Sequence, residues 1–383
     1  MTPFWTLVAR GYYLSPTPIA ESWYLLDRAA GGGAGDAAVV DLDEAVARLG
    51  AFARGGIAAM CPTYVSRCPR EQFPGVIAAL IDQLPELERL CPDVPILYVI
   101  AITHDPGERD EARWRLAATR RLFDASRRTR CAGVMVEARG KLHGVNAVIR
   151  LVSRLGVRGL AMVDDDTRFS PGCIGRIVRR FLDKGGRGAV GGTVIAEPEP
   201  HWSARLLVRV RGDLQPAKPY PYACCMVIEM AVVANGVPQR YGIDDGFIFF
   251  ELLAPARADA LEWLEVIPDA WCWTPIGRSS AKATVKRLKS ALLSHALLMA
   301  DYPHKARYYR RHMLFYGLWP IGALARGLRP VAALKKWLLK SVFFVWFARV
   351  WSELLLRGLF KRPLTRGVNW ATHRLTRPPA SSS

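Results

Sequence analysis

The chain has 383 residues and 51% of them are hydrophobic, so it is long enough for one large domain or two ordinary domains with a buried core. This composition excludes an intrinsically disordered protein. The formal net charge of +19 predicts an anionic partner, and the candidates are nucleic acid, acidic lipid headgroups and phosphorylated small molecules.

Residues 1–50 are predicted to form an N-terminal extension and linker. They contain the Gly/Ala-rich stretch "AAGGGAGDAA", which is typical of a flexible connection. The first residues, "MTPFWTLVARGYYLSPTP", lack the basic start and the clean apolar stretch of a signal peptide. Together with eight cysteines that form no CxxC pair, this start favours a cytoplasmic protein with reduced thiols.

From Gly55 onward, apolar runs of strand length alternate with amphipathic helical segments. The predicted strands are "GIAAMCPTY", "VPILYVIAI", "CAGVMVEA" and "VRGLAMVDDD". The predicted helices between them are "REQFPGVIAALIDQLPELERL", "RDEARWRLAATRRLFDAS" and "GKLHGVNAVIRLVSRL". This alternation predicts an α/β fold of Rossmann-like type, with a mostly parallel sheet flanked by helices. Ligands bind beyond the carboxyl ends of such strands, so functional residues are expected there.

Three adjacent carboxylates, Asp164, Asp165 and Asp166, follow the last of these apolar runs. Because like charges at adjacent positions repel, a divalent cation such as Mg²⁺ or Mn²⁺ would stabilise the run, and such ions also bridge to substrate phosphates. If the strand continues, Asp164 and Asp166 face one side and Asp165 faces the other. The alternative is an acidic surface loop that favours the first turn of the next helix.

Several motifs occur in an order that resembles the family 2 glycosyltransferases, which are inverting enzymes of the GT-A fold. "MCPTY" is similar to the opening strand and Pro-x-Tyr turn of the family, and "MVDDDTRFSPGCIGRIVRRF" to its Asp-x-Asp strand and following helix. The others are "RGKLHGVNAVI", "GAVGGTV" and "YGIDDGFIFFELL". The resemblance covers about residues 55–275 and implies a GT-A catalytic domain at 51–280.

The resemblance also implies a site for a nucleotide-sugar donor, either a UDP-sugar or a GDP-sugar. Gly140, Lys141 and Asn146 match the family pattern Gly-Lys-x-x-Ala-Leu-Asn, with Gly-Val in place of Ala-Leu. Lys141 at a helix start suits a phosphate, because its charge and the unpaired first-turn amides both favour an anion. For Asn146 and His143, the alternative is that they are polar positions on an exposed helix face.

Two further parts of the donor site are implied by position. Pro62 and Thr63 belong to the opening motif and are expected to contact the donor. Asp105 is the best match for the aspartate that reads the base, with His104 in the place of its usual partner. The Gln-x-x-Arg-Trp element of processive members has no match in "TVKRLKSALL", which favours a non-processive enzyme.

The acidic residues carry the expected chemistry. Asp164 and Asp166 would bind the metal, Asp164 would also face the ribose or sugar, and Asp165 takes the middle position of the donor-binding motif. The later acidic pair is Asp244 and Asp245, and the second falls where the family has its general base. That base would remove the proton of an acceptor hydroxyl as it attacks the anomeric carbon.

The C-terminal region is expected to contact a membrane. Residues 303–383 contain sixteen Lys or Arg and one acid, Glu353, which gives this region +15 of the net charge. Basic amphipathic and apolar helices are predicted over 281–375, lying on an anionic membrane, followed by a disordered tail at 376–383. The expected location is the cytoplasmic face of the plasma or inner membrane, with a glycan, polysaccharide or lipid-linked acceptor.

Three other functions are also compatible with parts of the sequence. A nucleotidyltransferase also uses acidic metal sites, but "CPTYVSRCP" offers no Gly-rich phosphate loop. A nucleic-acid-binding protein would use the basic tail, yet the aromatic residues of the tail lie inside apolar runs, so no nucleic acid is expected. A catalytically inactive glycosyltransferase-like scaffold is the third alternative, because the turn "THDPG" departs from the family pattern.

Overall fold

The structure is a computed structural model. It describes residues 20–26, 38–124, 128–138, 140–198, 202, 205, 221–238, 241, 244–252, 263–276, 292–309, 345 and 348–360. The strands are β1 Ala20–Leu25, β2 Ala38–Val40, β3 Ile57–Tyr64, β4 Ile96–His104, β5 Arg130–Glu137, β6 Gly159–Val163, β7 Arg168–Phe169, β8 Ala189–Pro198, β9 Cys225–Glu229 and β10 Leu264–Ile276. The helices are α1 Leu42–Ala53, α2 Phe73–Ile81, α3 Leu84–Leu90, α4 Arg109–Asp124, α5 Lys141–Leu155, α6 Cys173–Asp183, α7 Met230–Val233, α8 Asp244–Leu252 and α9 Pro303–Tyr309. Residues 292–301 and 348–359 are also helical.

The described strands form one mixed sheet in the order β2-β1-β5-β4-β3-β6-β9-β8-β10-β7. The four central strands β5, β4, β3 and β6 are parallel, as their continuous apolar sequences predict. Strands β1, β2, β7 and β9 pair antiparallel with their neighbours, while β10 runs parallel to β8. The α/β class and the flanking helices are therefore confirmed. The expected parallel arrangement is confirmed for the four central strands, whereas the sheet as a whole is mixed.

Both faces of the sheet are buried, and the residues of β3 show how. Ala58 and Met60 belong to one hydrophobic core, which also contains side chains of α1 and α5. Ile57, Ala59 and Cys61 belong to the other core, together with side chains of α2, α3, α4 and α6. Alternate residues of a strand point to opposite faces, so the sheet is the middle layer between two layers of helices.

The N-terminal region is part of the sheet, which differs from the extension and linker expected for residues 1–50. β1 pairs with β5 over six residues, and Trp23 and Leu25 of β1 are buried. Helix α1 begins after Asp41, whose carboxylate accepts a hydrogen bond from the Glu44 amide (2.7 Å). Residues 27–37, which include most of the Gly/Ala-rich stretch, lie outside the described residues.

The region after residue 280 also contributes to the core. In residues 292–306, side chains such as Leu293 and Leu297 are buried in the same cluster as those of α5 and α8. Residues 292–306 therefore share a hydrophobic core with the predicted catalytic domain. Among the residues that the structure describes, no helix is long and apolar enough to cross a membrane. The predicted tail at 376–383 and most of 310–347 lie outside the described residues.

Candidate active site

An open cleft lies at the point where the order of the strands in the sheet reverses. Strands β3, β4 and β5 are neighbours in this order, and α5 then connects β5 to β6, which lies on the other side of β3. Such a reversal leaves a crevice beyond the carboxyl ends of the two strands, which is the usual ligand position in α/β sheets. The cleft has an empty volume of about 470 Å³, its open mouth included. It is lined by Pro62, Tyr64, Arg67, Cys68, Gln72, Lys141, Asp165 and Asp166.

The end of β3 contributes Pro62 and Tyr64 to the lining of the cleft. β6 pairs with β3 only from Ile57 to Met60, whereas β4 pairs with it as far as Tyr64. Pro62 therefore lies beyond the last pairing with β6, where its missing N–H leaves no gap in that ladder. Thr63 is fully buried next to Asp165, and it lowers the pKa of that carboxyl group. Of the two donor residues predicted in this strand, Pro62 contacts the cleft directly.

Helix α5 brings Lys141 to the cleft. Gly140 precedes it with φ 113° and ψ 142°, a conformation that is essentially restricted to glycine, and no side chain caps the first turn. The Lys141 ammonium forms an ion pair with the Asp164 carboxylate, and both side chains are largely buried. The predicted phosphate-binding lysine and the predicted metal ligand are thus in contact.

The three carboxylates form a turn rather than a strand end. β6 ends at Val163, and the Thr167 amide donates to the Asp164 carbonyl (3.3 Å). The inference that Asp164 and Asp166 share one side through strand alternation is therefore wrong. Instead, the half-buried Asp165 and the exposed Asp166 both line the cleft, while Asp164 pairs with Lys141.

The pKa of the Asp165 carboxyl group is raised. Burial is the main cause, and it outweighs the nearby Lys141 ammonium and Arg67 guanidinium, which lower this pKa. A cation bound in the cleft would also favour the ionised form. Burial, with Asp165 nearby, raises the pKa of Cys68 to about 11, so this cleft residue is a neutral thiol at pH 7.

The loop after β3 supplies cleft residues that the sequence analysis did not select: Arg67, Cys68 and Gln72. The buried Arg115 of α4 holds this loop, because its Nη2 donates to the carbonyls of Val65 (3.3 Å) and Cys68 (2.6 Å). The sequence pointed to this loop only through its position after the first long strand. The role of Arg115 could not be predicted, because a basic residue on an amphipathic helix is usually exposed.

Asp105 lies at the end of β4, as predicted, but it does not line the cleft. Its carboxylate accepts a hydrogen bond from the Ser66 hydroxyl (3.4 Å), and its amide donates to Glu108 (3.0 Å). Burial, followed by the effect of Asp105, raises the pKa of the Tyr64 hydroxyl. Asp105 is therefore next to the cleft residue Tyr64, one side chain away from the cleft.

No protein-family model and no curated protein matches this chain. The resemblance to family 2 glycosyltransferases therefore depends on the motifs and on where the structure places them. Three of the motifs meet at the cleft: the opening strand, the Gly-Lys helix start and the carboxylate run.

Asn146 has a different setting from the one that the resemblance implies. Its Nδ2 donates to the Val237 carbonyl (2.8 Å), and the Val237 amide donates to its Oδ1 (2.7 Å). A Cβ at the neighbouring Gly236, where φ is 81°, would come within 3.0 Å of this oxygen. Both ends of the amide thus bind the segment between α7 and α8. The alternative of an exposed polar face is wrong for His143, which is 5% exposed.

We expect Asn146→Ala to lower the free energy of unfolding by about 1–3 kcal/mol, because it leaves two buried backbone groups of Val237 without partners. Urea denaturation of the full chain measures this change. Ser153→Ala on the same helix is the matched control, since the Ser153 hydroxyl donates to Arg150 of its own helix (3.1 Å). Equal stabilities of the two variants would contradict a role for Asn146 in holding this segment.

Asp244 and Asp245 form the first turn of α8, but their side chains lie outside the described part of the structure. The rest of α8 is firmly held. Tyr241 stacks on Phe247, with ring centroids 5.7 Å apart, and its hydroxyl donates to Asp301 (2.6 Å). The buried Lys305 donates to the Phe250 carbonyl near the end of α8 (2.8 Å). Residues 292–309 therefore fix the helix that carries the acidic pair.

The cleft residues fit a divalent metal. Within the described residues, no group of three His, Cys, Asp or Glu side chains lies close enough to hold a metal ion. Mg²⁺, however, is usually bound through one or two carboxylates, with substrate phosphates and water as the other ligands. The carboxylates of Asp165 and Asp166, which both line the cleft, meet that requirement. Asp164 would have to give up its ion pair with Lys141 to serve as a ligand.

Proposed function

We propose that this protein is an inverting glycosyltransferase that transfers a sugar from a nucleoside-diphosphate sugar to a hydroxyl acceptor. The observation that carries the proposal is the cleft beyond β3 and β6, which is lined by Lys141 together with the carboxylates of Asp165 and Asp166. A cation next to carboxylates in one crevice suits a metal-bound diphosphate, because each charged group on the ligand then has a partner. The GT-A fold is part of the proposal, and the parallel centre of the sheet, joined through the antiparallel β9 to β8, is compatible with it.

The residues of the chain have separate tasks in this reaction. Lys141 and the uncapped first turn of α5 bind the diphosphate and stabilise its negative charge as it leaves. Tyr64 and Arg67, on the loop side of the cleft, hold the nucleoside end of the donor. Asp245 accepts the proton of the acceptor hydroxyl, which makes the oxygen nucleophilic near neutral pH. A single in-line displacement inverts the anomeric carbon.

A divalent metal, Mg²⁺ or Mn²⁺, would be held by Asp166 together with Asp165 or Asp164, and it would stabilise the leaving diphosphate when bound. Non-processive transfer is part of the proposal, since the motif of processive members has no match. The acceptor class is a glycan, a polysaccharide or a lipid-linked sugar. An anionic membrane as partner, on the cytoplasmic side, is favoured by the charge of residues 303–383.

A screen of UDP- and GDP-sugars with Mg²⁺ or Mn²⁺, with the release of nucleoside diphosphate as readout, tests the proposal. We expect at least one donor to be turned over by the wild-type chain, and Lys141→Met to lower this turnover strongly. Arg48→Met is the matched control, because Arg48 is an exposed residue of α1 that pairs only with Glu44 of its own helix in the described contacts. Failure of every donor with both metals would instead support the inactive scaffold.

A further inference from the structure

The helix over residues 348–360 has two apolar faces. Val350 and Leu354 on one face are buried in the hydrophobic core that also contains side chains of α5 and α8, and Trp351 and Leu355 pack against it. This face fixes the helix to the body of the protein. The opposite face is formed by residues that are exposed to solvent.

The exposed face is formed by Leu356, Leu359 and Phe360, whose exposed fractions are 53%, 53% and 69%. Their spacing of three and four residues places them side by side on a helix. Val345, eleven residues before Leu356, is also exposed, by 69%. A helix on the surface of a soluble protein presents mostly polar side chains to water on this side, so a cluster of exposed apolar side chains indicates a partner.

Charge complementarity identifies the kind of partner. Arg349 is exposed and lies two turns before Leu356, on the same side of the helix. The single acid of residues 303–383, Glu353, is already paired with Arg357 (3.0 Å), and Lys361 and Arg362 follow Phe360 directly. An apolar face with an exposed arginine on the same side, in a strongly basic part of the sequence, matches the boundary between acyl chains and anionic headgroups. Nucleic acid fits less well, because Leu356 and Leu359 offer neither charge nor a stacking surface.

We propose that Leu356, Leu359 and Phe360 insert into the surface of an anionic lipid bilayer, and that this contact docks the folded protein on the membrane. The helix lies in the plane of the interface, with Val350 and Leu354 on the protein side. This docking face is independent of the transfer reaction, because its residues are separate from those of the cleft.

Co-sedimentation of the full chain with lipid vesicles tests the proposal. One set of vesicles contains phosphatidylcholine alone, and the other also contains about 30% phosphatidylglycerol, which gives a negative surface charge of the order found in biological membranes. We expect binding to the anionic vesicles that weakens in high salt, and the triple variant Leu356→Gln, Leu359→Gln, Phe360→Gln to bind at least about tenfold more weakly. Because all three positions are exposed, the variant keeps its fold, which circular dichroism verifies.

Val39→Gln is the matched control, since Val39 is an apolar residue of β2 with 66% exposure. It should bind the anionic vesicles as the wild type does. Undiminished vesicle binding by the triple variant would overturn the proposal. It would also be overturned if light scattering without lipid showed a wild-type dimer that the triple variant abolishes, because the face would then be an interface between two copies. The assay contains no sugar nucleotide, so its outcome does not depend on the proposed activity.

Discussion

The Asp245→Asn variant should lose sugar transfer by about a hundredfold to ten-thousandfold while it binds the donor nearly as well as the wild type. An asparagine amide cannot accept the proton of the acceptor hydroxyl, so the attacking oxygen stays a poor nucleophile. Asp245 lies in the first turn of α8. Rates of nucleoside diphosphate release at saturating donor measure the loss, and titration calorimetry measures donor binding.

Asp244→Asn is the control for Asp245, because it makes the same change one residue earlier in the same helix turn. We expect a smaller loss of rate in that variant. A transfer rate near that of the wild type in Asp245→Asn would show that the base has been assigned to the wrong residue. A loss of donor binding that matches the loss of rate would contradict the role of a base, since a base acts on the acceptor.

The Asp166→Ala variant should lose the metal-dependent part of donor binding, with a rise in the donor dissociation constant of about a hundredfold in the presence of Mg²⁺ or Mn²⁺. Asp166 is exposed at the cleft and is the carboxylate best placed to meet a cation that arrives with the diphosphate. The measurement is a donor titration with metal and again with a chelator. In chelator, the wild type and the variant should bind equally weakly.

Asp110→Ala provides the matched control for this titration. Asp110 is 98% exposed on α4, with Arg113 as its ion-pair partner at 3.7 Å. Its removal should leave the metal response of donor binding unchanged. If Asp166→Ala keeps the full metal response, the cation is held elsewhere, and the assignment of the carboxylate run as a metal site is incorrect.

The central strands could be predicted because burial on both faces leaves continuous apolar sequences, as in Ile57–Tyr64 and Ile96–His104. The single long helix predicted after β3 is two helices, α2 and α3. Pro85 lies in the first turn of α3, where its missing N–H is tolerated, whereas in the interior of one long helix it would clash with the preceding turn. Such a break is visible in the sequence as the pair Leu84-Pro85.

The outer parts of the fold were harder to predict, because their contacts are distant in sequence. β1 is a six-residue segment, and its neighbour β5 lies more than a hundred residues further along the chain. Residues 292–306 belong to a longer segment that reads as amphipathic and basic, and their apolar side chains pack on the core. In both cases the local pattern predicts an element but not the partner that buries it.

In the site, residue types were easier to predict than their directions. Gly140 and Lys141 lie where the sequence placed them, since the helix start follows directly from the end of β5. The turn that begins after Val163 decides where Asp164, Asp165 and Asp166 point. The alternation of side chains along a strand does not apply to residues in a turn. The amide of Asn146 binds a segment about ninety residues away, a contact that sequence spacing does not reveal.

The most direct measurement is a pair of crystal structures of the full chain, one with UDP and Mn²⁺ and one with GDP and Mn²⁺. We predict that one nucleotide occupies the cleft beyond β3 and β6, with its diphosphate between Lys141 and the carboxylates of Asp165 and Asp166, and with the acidic pair of α8 facing the same space. A nucleotide bound on another surface, or Asp244 and Asp245 directed away from the cleft, would contradict a single donor site.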